Sequence, residues 1–150
     1  MKGRKAALPD NVAAIPVEFQ GRPDEWYQER SDDLRPSDLK DSEREIWDRV
    51  APQLCRVGRL KALFVDVIAE YCRITACLVE ARKMLDEEQW IYVTTGRHGE
   101  QRKANPRLAQ LNDDWRKWRS LVGELGLSPN TDRNLNSAQG DLFDDEFGQI

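Results

Sequence analysis

The sequence has little of what membrane-spanning proteins and most catalytic sites need. It contains one histidine, and none of its three cysteines forms a Cys-x-x-Cys pair. Apolar residues make up 39% of the 150 positions, yet no apolar run approaches the roughly 20 residues that span a bilayer. Neither the Gly-x-x-x-x-Gly-Lys-Ser/Thr nor the Gly-x-Gly-x-x-Gly pattern is present. These absences argue against a membrane protein, a disulfide framework, a zinc site and a nucleotide-binding loop.

Candidate catalytic residues are equally scarce. His98 lies in a polar turn between two glycines, where an exposed, neutral role is the simpler interpretation. Asp86, Glu87 and Glu88 are consecutive, so they fan around a helix end and do not converge on one site. We therefore expect no enzymatic activity, no metal and no cofactor.

The charge of the chain is unevenly placed. From residue 130 onward, five acids stand against Arg133, which gives −4, the same as the net charge of the whole chain, so residues 1–129 are neutral. Within that neutral part the basic residues form local clusters, which allows basic surfaces on an acidic protein. The clusters that are candidates for phosphate contact comprise Arg97, Arg102, Lys103 and Arg107, then Lys2, Arg4 and Lys5, then Arg56, Arg59 and Lys61.

The chain divides into three segments by composition. Residues 1–37 contain four of the seven prolines and predict an extended or partly disordered arm. Residues 38–129 predict a helical domain. Residues 130–150 form an acidic tail with interspersed apolar side chains, which is predicted to be disordered until it meets a partner.

Three helices and a hairpin are predicted within residues 38–129. The first helix has Ser37 or Asp38 as its N-cap and ends before Gly58, and the second runs for about 25 residues from Arg59 or Leu60. Residues 90–93 are rich in β-formers and precede a polar turn, which indicates a short hairpin or ordered loop. A third helix should begin at Asn105-Pro106, because Asn caps helices and Pro suits their first position.

The third predicted helix carries a narrow apolar seam. Its members recur every three or four residues, as in helices that pair along one face, and they are Leu108, Leu111, Trp115, Trp118, Val122 and Leu125. We assign the first five of these residues to an oligomer interface. The long second helix carries more apolar surface than two neighbours would cover, which also favours oligomerisation.

With these residues identified, the sequence resembles the small subunit of a tailed-phage terminase, in the family common among phages that package DNA from cohesive-end sites. The resemblance covers roughly residues 38–133. The segments that carry it are Glu45-Ile46-Trp47, Ala51-Pro52-Gln53-Leu54, Gly58 before Leu60, Tyr71-Cys72, Tyr92-Val93, Asn105-Pro106, and Leu125-Gly126-Leu127-Ser128-Pro129 with Arg133.

The resemblance implies a mainly helical protein that assembles into a homo-oligomeric ring, recruits double-stranded viral DNA and hands it to the large terminase subunit, which carries the ATPase and nuclease. It implies a location in the cytoplasm of the infected bacterial host and not in the mature virion. The tail stands where such subunits engage the large subunit, and we expect docking by Leu142, Phe143 and Phe147 while the neighbouring carboxylates steer.

Two other classes of function stay open at this point. One is a dimeric helix-turn-helix regulator that reads an operator near Gly58, although the second helix is too long and apolar to suit it. The other is a helical adaptor without nucleic-acid affinity, whose basic clusters pair with the acidic arm and tail of neighbouring subunits.

Overall fold

The computed structural model describes residues 15–132, which form four α-helices and one β-hairpin. The elements are a 3-10 turn at Val17–Phe19, α1 (Asp24–Asp33), α2 (Asp41–Arg56), a 3-10 turn at Ala62–Phe64, α3 (Val65–Glu88), β1 (Ile91–Gly96), β2 (Gly99–Ala104) and α4 (Arg107–Glu124). The predicted mainly helical fold with a small hairpin is confirmed.

The main core lies between α2 and its neighbours α1 and α3. Trp47 is fully buried, and its indole Nε1–H donates to the carbonyl of Ser31 at the end of α1, over 3.0 Å. This bond satisfies the one polar group of a large buried side chain. The other fully or nearly fully buried apolar side chains here include Ala51, Leu54, Cys55, Leu60, Ile68, Ala69 and Cys72.

The prediction of an extended arm is wrong for the part of residues 1–37 that the structure describes. α1 lies within it, because Pro16 and Pro23 stand at the starts of elements and interrupt none. The Tyr27 hydroxyl donates to the carbonyl of Phe19, and both side chains are buried in the main core. Residues 1–14 lie outside the described part of the chain.

Two predicted helix starts also differ from the structure. The N-cap of α2 is Lys40 and not Ser37 or Asp38, because the Glu43 carboxylate accepts the Lys40 backbone N–H and fixes the start of the helix at Asp41. α3 begins at Val65, five or six residues after the predicted start, because Leu60 is buried in the core and the chain then makes a 3-10 turn.

Gly58 ends α2 as predicted. Its φ is +71°, a conformation that L side chains rarely adopt, and the following Arg59 N–H donates to the Leu54 carbonyl at 2.8 Å. A Cβ at this position would lie 2.9 Å from the ring of Pro16. The glycine therefore allows both the turn and the close approach of the segment that leads to α1.

α4 packs antiparallel on α3. Trp118 stacks on Tyr71 near the start of α3, with ring centroids 6.3 Å apart, while Arg82 near its end covers the ring of Trp115. Beneath them a second cluster joins the two helices and consists of Ile74, Leu78, Leu85 and Leu111. α3 is thus the spine of the molecule, and the hairpin leaves the body where α3 ends and α4 begins.

Candidate nucleic-acid interface

The base of the hairpin is fixed by a clamp of polar groups. The Asn105 side chain donates to the Gln89 carbonyl at 3.2 Å and to the Glu88 carboxylate at 3.3 Å, and its oxygen accepts the Arg107 N–H at 3.0 Å. The same Asn105 therefore closes the hairpin and accepts the N–H of Arg107, the first residue of α4, while Pro106 holds the N-cap position one residue later than predicted. Gln89 turns the chain out of α3 with a φ of +72°.

The Glu88 carboxylate also binds the Arg107 guanidinium, with Nε and Oε2 3.0 Å apart. The hydrogen bonds from Arg107 and Asn105 lower the pKa of Glu88 below the usual carboxyl value. The end of α3, the hairpin base and the start of α4 thus share one network, which sets the direction in which the hairpin projects.

Both faces of the hairpin are open to solvent. Every residue of β1 and β2 is exposed except Thr94, which is half-buried. The register places Val93 opposite Arg102 and Tyr92 opposite Lys103, so the two cations lie on opposite faces, each beside an exposed apolar side chain. Arg97 lies in the two-residue turn at the tip together with His98.

The hairpin cations have no anionic partner among residues 15–132. Arg97, Arg102 and Lys103 are exposed, and none of them forms an ion pair with a described carboxylate. Lys61 is also exposed and unpaired there, but it precedes α3 whereas the hairpin follows it. The 24 residues of α3 separate these two basic regions by about 36 Å.

The other described arginines that the sequence suggested for DNA contact have partners within the chain. Arg56 binds Asp24 at 2.8 Å and covers the ring of Tyr27. Arg59 binds Asp132 at 2.7 Å and donates to the Gly126 carbonyl. Arg107 binds Glu88, so each of the three arginines joins two segments that lie far apart in the sequence. The suggested residues Lys2, Arg4 and Lys5, and the docking residues Leu142, Phe143 and Phe147, lie outside the described part.

The predicted seam packs within the chain. Leu111 is buried against α3, and the partly buried Leu108, Trp118 and Val122 pack against the same two clusters. Trp115 is the most exposed of the five, at 39%. Its ring centroid lies 4.9 Å from that of Trp118 and 5.7 Å from the guanidinium carbon of Arg82. Their role in an oligomer interface stays a prediction.

The described residues hold no group of three or more His, Cys, Asp or Glu side chains that would bind a metal ion. Burial raises the pKa of the Cys72 thiol to about 12, with a further increase from the charge of Glu43, and burial also raises the pKa of Cys55. Within residues 15–132 no helix is long and apolar enough to cross a membrane.

Sequence reasoning missed two parts of this region. The run Asp86, Glu87 and Glu88 does not indicate that the Glu88 carboxylate joins the hairpin to α4. The cover of Arg82 over Trp115 has no sequence signal, because it depends on how α3 and α4 cross. Asn105 was the available signal for the clamp.

Comparison with known proteins bears on this arrangement directly. The family described as phage terminase, small subunit, matches residues 44–141, which is more than half of the chain. The chain belongs to this family. The match starts within α2 and includes α3, the hairpin and α4, so the clamp and the projecting hairpin lie inside it. No curated protein and no solved structure gives a significant match.

Membership of the terminase small subunits gives the chain a role in phage DNA packaging. Small terminase subunits are generally non-catalytic subunits of regulation and recognition, and the family implies interaction with viral DNA and with the large terminase subunit.

Proposed function

We propose that this protein is the non-catalytic DNA-recruiting subunit of a phage terminase, that it contacts DNA phosphates through the projecting hairpin, and that it delivers the DNA to the large subunit and stimulates it. The observation that carries the proposal is that Arg97, Arg102 and Lys103 are exposed together on the hairpin that projects from the helical body, and that none of them has a carboxylate partner among the described residues. Such cations are available to phosphates without first breaking an ion pair. A phage terminase is expected in the cytoplasm of the infected host.

The electrostatics of the hairpin suit contact with the DNA backbone. Each cation that replaces a counterion on B-DNA contributes a slope of about −0.9 to the dependence of log K on log salt. At about 0.15 M salt this corresponds to roughly fivefold in affinity per contact. Lys61, at the other end of α3, and Lys2, Arg4 and Lys5 would add contacts of the same sequence-independent kind.

Arg56, Arg59 and Arg107 contribute less in this proposal. DNA would have to displace Asp24, Asp132 and Glu88 respectively before it reached their guanidinium groups. We assign these three arginines to positioning the segments that they join.

Assembly into a ring would multiply weak contacts. Several hairpins presented to one DNA molecule raise the overall affinity through effective concentration. The exposed apolar side chains support self-association, since Leu63 is 81% exposed and Val79 on α3 is 59% exposed. Light scattering on the full chain at moderate salt tests this part: a single species of many subunits is expected, and a monomer or dimer would contradict it.

The large subunit would bind the acidic tail through Leu142, Phe143 and Phe147. Deletion of residues 138–150 should then reduce stimulation of the large subunit's ATPase while DNA binding persists. Unchanged stimulation would refute this role of the tail.

The DNA contact is tested by fluorescence anisotropy with a duplex fragment. The triple variant R97Q/R102Q/K103Q should bind about a hundredfold more weakly at about 0.15 M salt, from three lost contacts per engaged subunit. The matched control is K83Q/R116Q/R119Q, which removes the same charge from exposed helical positions without described ion pairs. Equal losses in both variants would contradict a hairpin-specific contact.

The adaptor alternative has one observation in its favour. Arg56 and Arg59 pair with Asp24 and Asp132, so basic residues do bind the acidic segments at either end of the described chain, here within one copy. Absence of DNA binding at low salt by the wild-type protein would favour the adaptor. No observation favours the helix-turn-helix regulator, whose second helix would be the 24-residue α3.

A further inference from the structure

The hairpin exposes apolar side chains to water, and no second layer from residues 15–132 packs on either face to stabilise its two strands. Four consecutive large apolar side chains at its base are exposed, with Trp90 at 42%, Ile91 at 55%, Tyr92 at 38% and Val93 at 55%. An isolated two-stranded hairpin with both faces solvated is marginally stable. A segment that covers the apolar side chains on one face would therefore stabilise the hairpin as well as bind it.

The register of the two strands indicates what chemistry a segment bound to this surface needs. Each face of the hairpin base pairs an exposed apolar side chain with a cation directly opposite it on β2, Val93 with Arg102 on one face and Tyr92 with Lys103 on the other. The only acid of the hairpin is Glu100, opposite Thr95 near the tip. A complementary ligand is a short peptide with apolar side chains interleaved with carboxylates.

The chain contains such a peptide. Residues 141–147 read Asp-Leu-Phe-Asp-Asp-Glu-Phe, with three apolar side chains among four carboxylates. Its charge of −4 faces a hairpin of +2, counting Arg97, Arg102 and Lys103 against Glu100. Complementary charge of this kind favours the encounter, and the apolar side chains supply burial.

The tail segment is also connected by enough chain to reach the hairpin. Asp132 is held by Arg59 beside Gly126, beyond the end of α4 that is opposite to the hairpin. α4 is 18 residues long, about 27 Å. The fifteen residues from Asp132 to Phe147 span about 50–54 Å when extended, so part of the segment 141–147 reaches past α4 to the hairpin base.

We propose that residues 141–147 of the tail bind the exposed base of the hairpin on the face that carries Tyr92 and Lys103, and thereby occupy part of the surface offered to DNA. The proposal rests on the proposed function for its consequence, which is that tail and DNA compete. When the large subunit binds Leu142, Phe143 and Phe147, the tail leaves the hairpin, which is then free to contact DNA. One event would then couple arrival of the large subunit to DNA loading.

The contact itself is tested without DNA, by zero-length carbodiimide cross-linking of the full chain and mass spectrometry. The expected product joins Lys103 to a carboxylate among residues 141–146, and it should disappear in about 1 M salt, where the Debye length falls to about 3 Å. Lys61 and Lys83 are exposed internal controls at other places on the body. Cross-links from the tail to Lys61 or Lys83 at the same yield as to Lys103, or none to Lys103, would overturn the proposal.

Competition is tested by DNA binding of the full-length variant D141N/D144N/D145N/E146Q. If the tail occupies the hairpin for nine-tenths of the time, its release raises the DNA affinity by about tenfold, because apparent affinity scales with the competent fraction. The control E29Q/D33N/E45Q/E80Q makes the same change in charge at exposed acids without described ion pairs. An equal gain in both variants would refute competition.

The two tests separate this inference from the proposed function. A Lys103 cross-link in a protein that does not bind DNA would leave tail docking in place and refute DNA recruitment. DNA binding through the hairpin without any Lys103 cross-link would do the reverse.

Discussion

The contact of Trp118 with α3 gives the sharpest test of how the apolar seam of α4 is used. The Trp118 indole Nε1–H donates to the Thr75 hydroxyl oxygen at 3.1 Å, and that hydroxyl donates in turn to the Tyr71 carbonyl. The indole also stacks between Tyr71 and Trp115. If this packing is intramolecular, its loss must appear in the stability of one chain.

The magnitudes follow from these contacts. Trp118→Phe keeps a stacked ring and loses the hydrogen bond, worth about 1 kcal/mol, together with roughly another 1 kcal/mol of apolar area. Trp118→Ala removes the whole ring and should cost about 3 kcal/mol, at the low end for aromatic truncation because the side chain is only partly buried. Thr75→Val removes the acceptor while keeping the shape.

The assay is urea unfolding of each single variant and of Thr75→Val/Trp118→Phe, at low and high protein concentration. The double-mutant cycle should give a coupling of about 1 kcal/mol that does not change with protein concentration. A coupling below about 0.3 kcal/mol would refute the described bond. A cost that grows with protein concentration, together with a lower solution mass, would show that the seam acts between subunits.

Further predictions concern the thiols and the hairpin base. In the native protein a small thiol reagent should modify Cys77 quickly, and Cys55 and Cys72 only after unfolding. Those two thiols are buried and their pKa values are raised, to about 12 for Cys72. Rapid reaction of all three cysteines would contradict the burial of Cys55 and Cys72. The pKa of Glu88 is lowered in the folded state, so its contribution to stability is present above the usual carboxyl pKa of 4.5 and is lost as pH falls through the folded value. The difference in unfolding free energy between wild type and Glu88→Gln should therefore shrink on acidification, and a difference independent of pH would contradict the clamp. Gln89→Gly should raise stability by about 1 kcal/mol, since a non-glycine residue at a φ of +72° is strained; a loss of stability would show that the Gln89 side chain compensates.

The parts of the fold that the sequence predicts are those with local causes. Trp90 to Val93 favour a strand, Gly96 and Gly99 bracket a turn, and Asn105-Pro106 starts a helix, and each of these signals lies within a few residues of the structure that it specifies. The hairpin and α4 therefore appear where expected.

The errors have non-local causes. Prolines near α1 predict an extended arm, but Tyr27 and Phe19 are buried in the same core as Trp47 of α2, which no local pattern reveals. The periodicity of α4 identifies its apolar face correctly. It cannot say whether that face meets α3 of the same chain or a second copy, because both partners satisfy the same spacing.

The candidate site also depends partly on local sequence and partly on contacts between distant residues. The sequence counts cations, but their availability depends on carboxylates far along the chain: Asp132 lies 73 residues from Arg59, and Glu88 lies 19 residues from Arg107. Only the fold separates these paired arginines from the unpaired cations of the hairpin.

The central claim is that the hairpin cations contact DNA phosphates, and the dependence of binding on salt tests it most directly. Each contact contributes about −0.9 to the slope of log K against log salt, so Arg102→Gln should reduce the slope by about 0.9 for every engaged subunit, and R97Q/R102Q/K103Q by about 2.7. Arg119→Gln, the control on α4, should leave the slope unchanged. A wild-type slope retained in the triple variant would contradict the account.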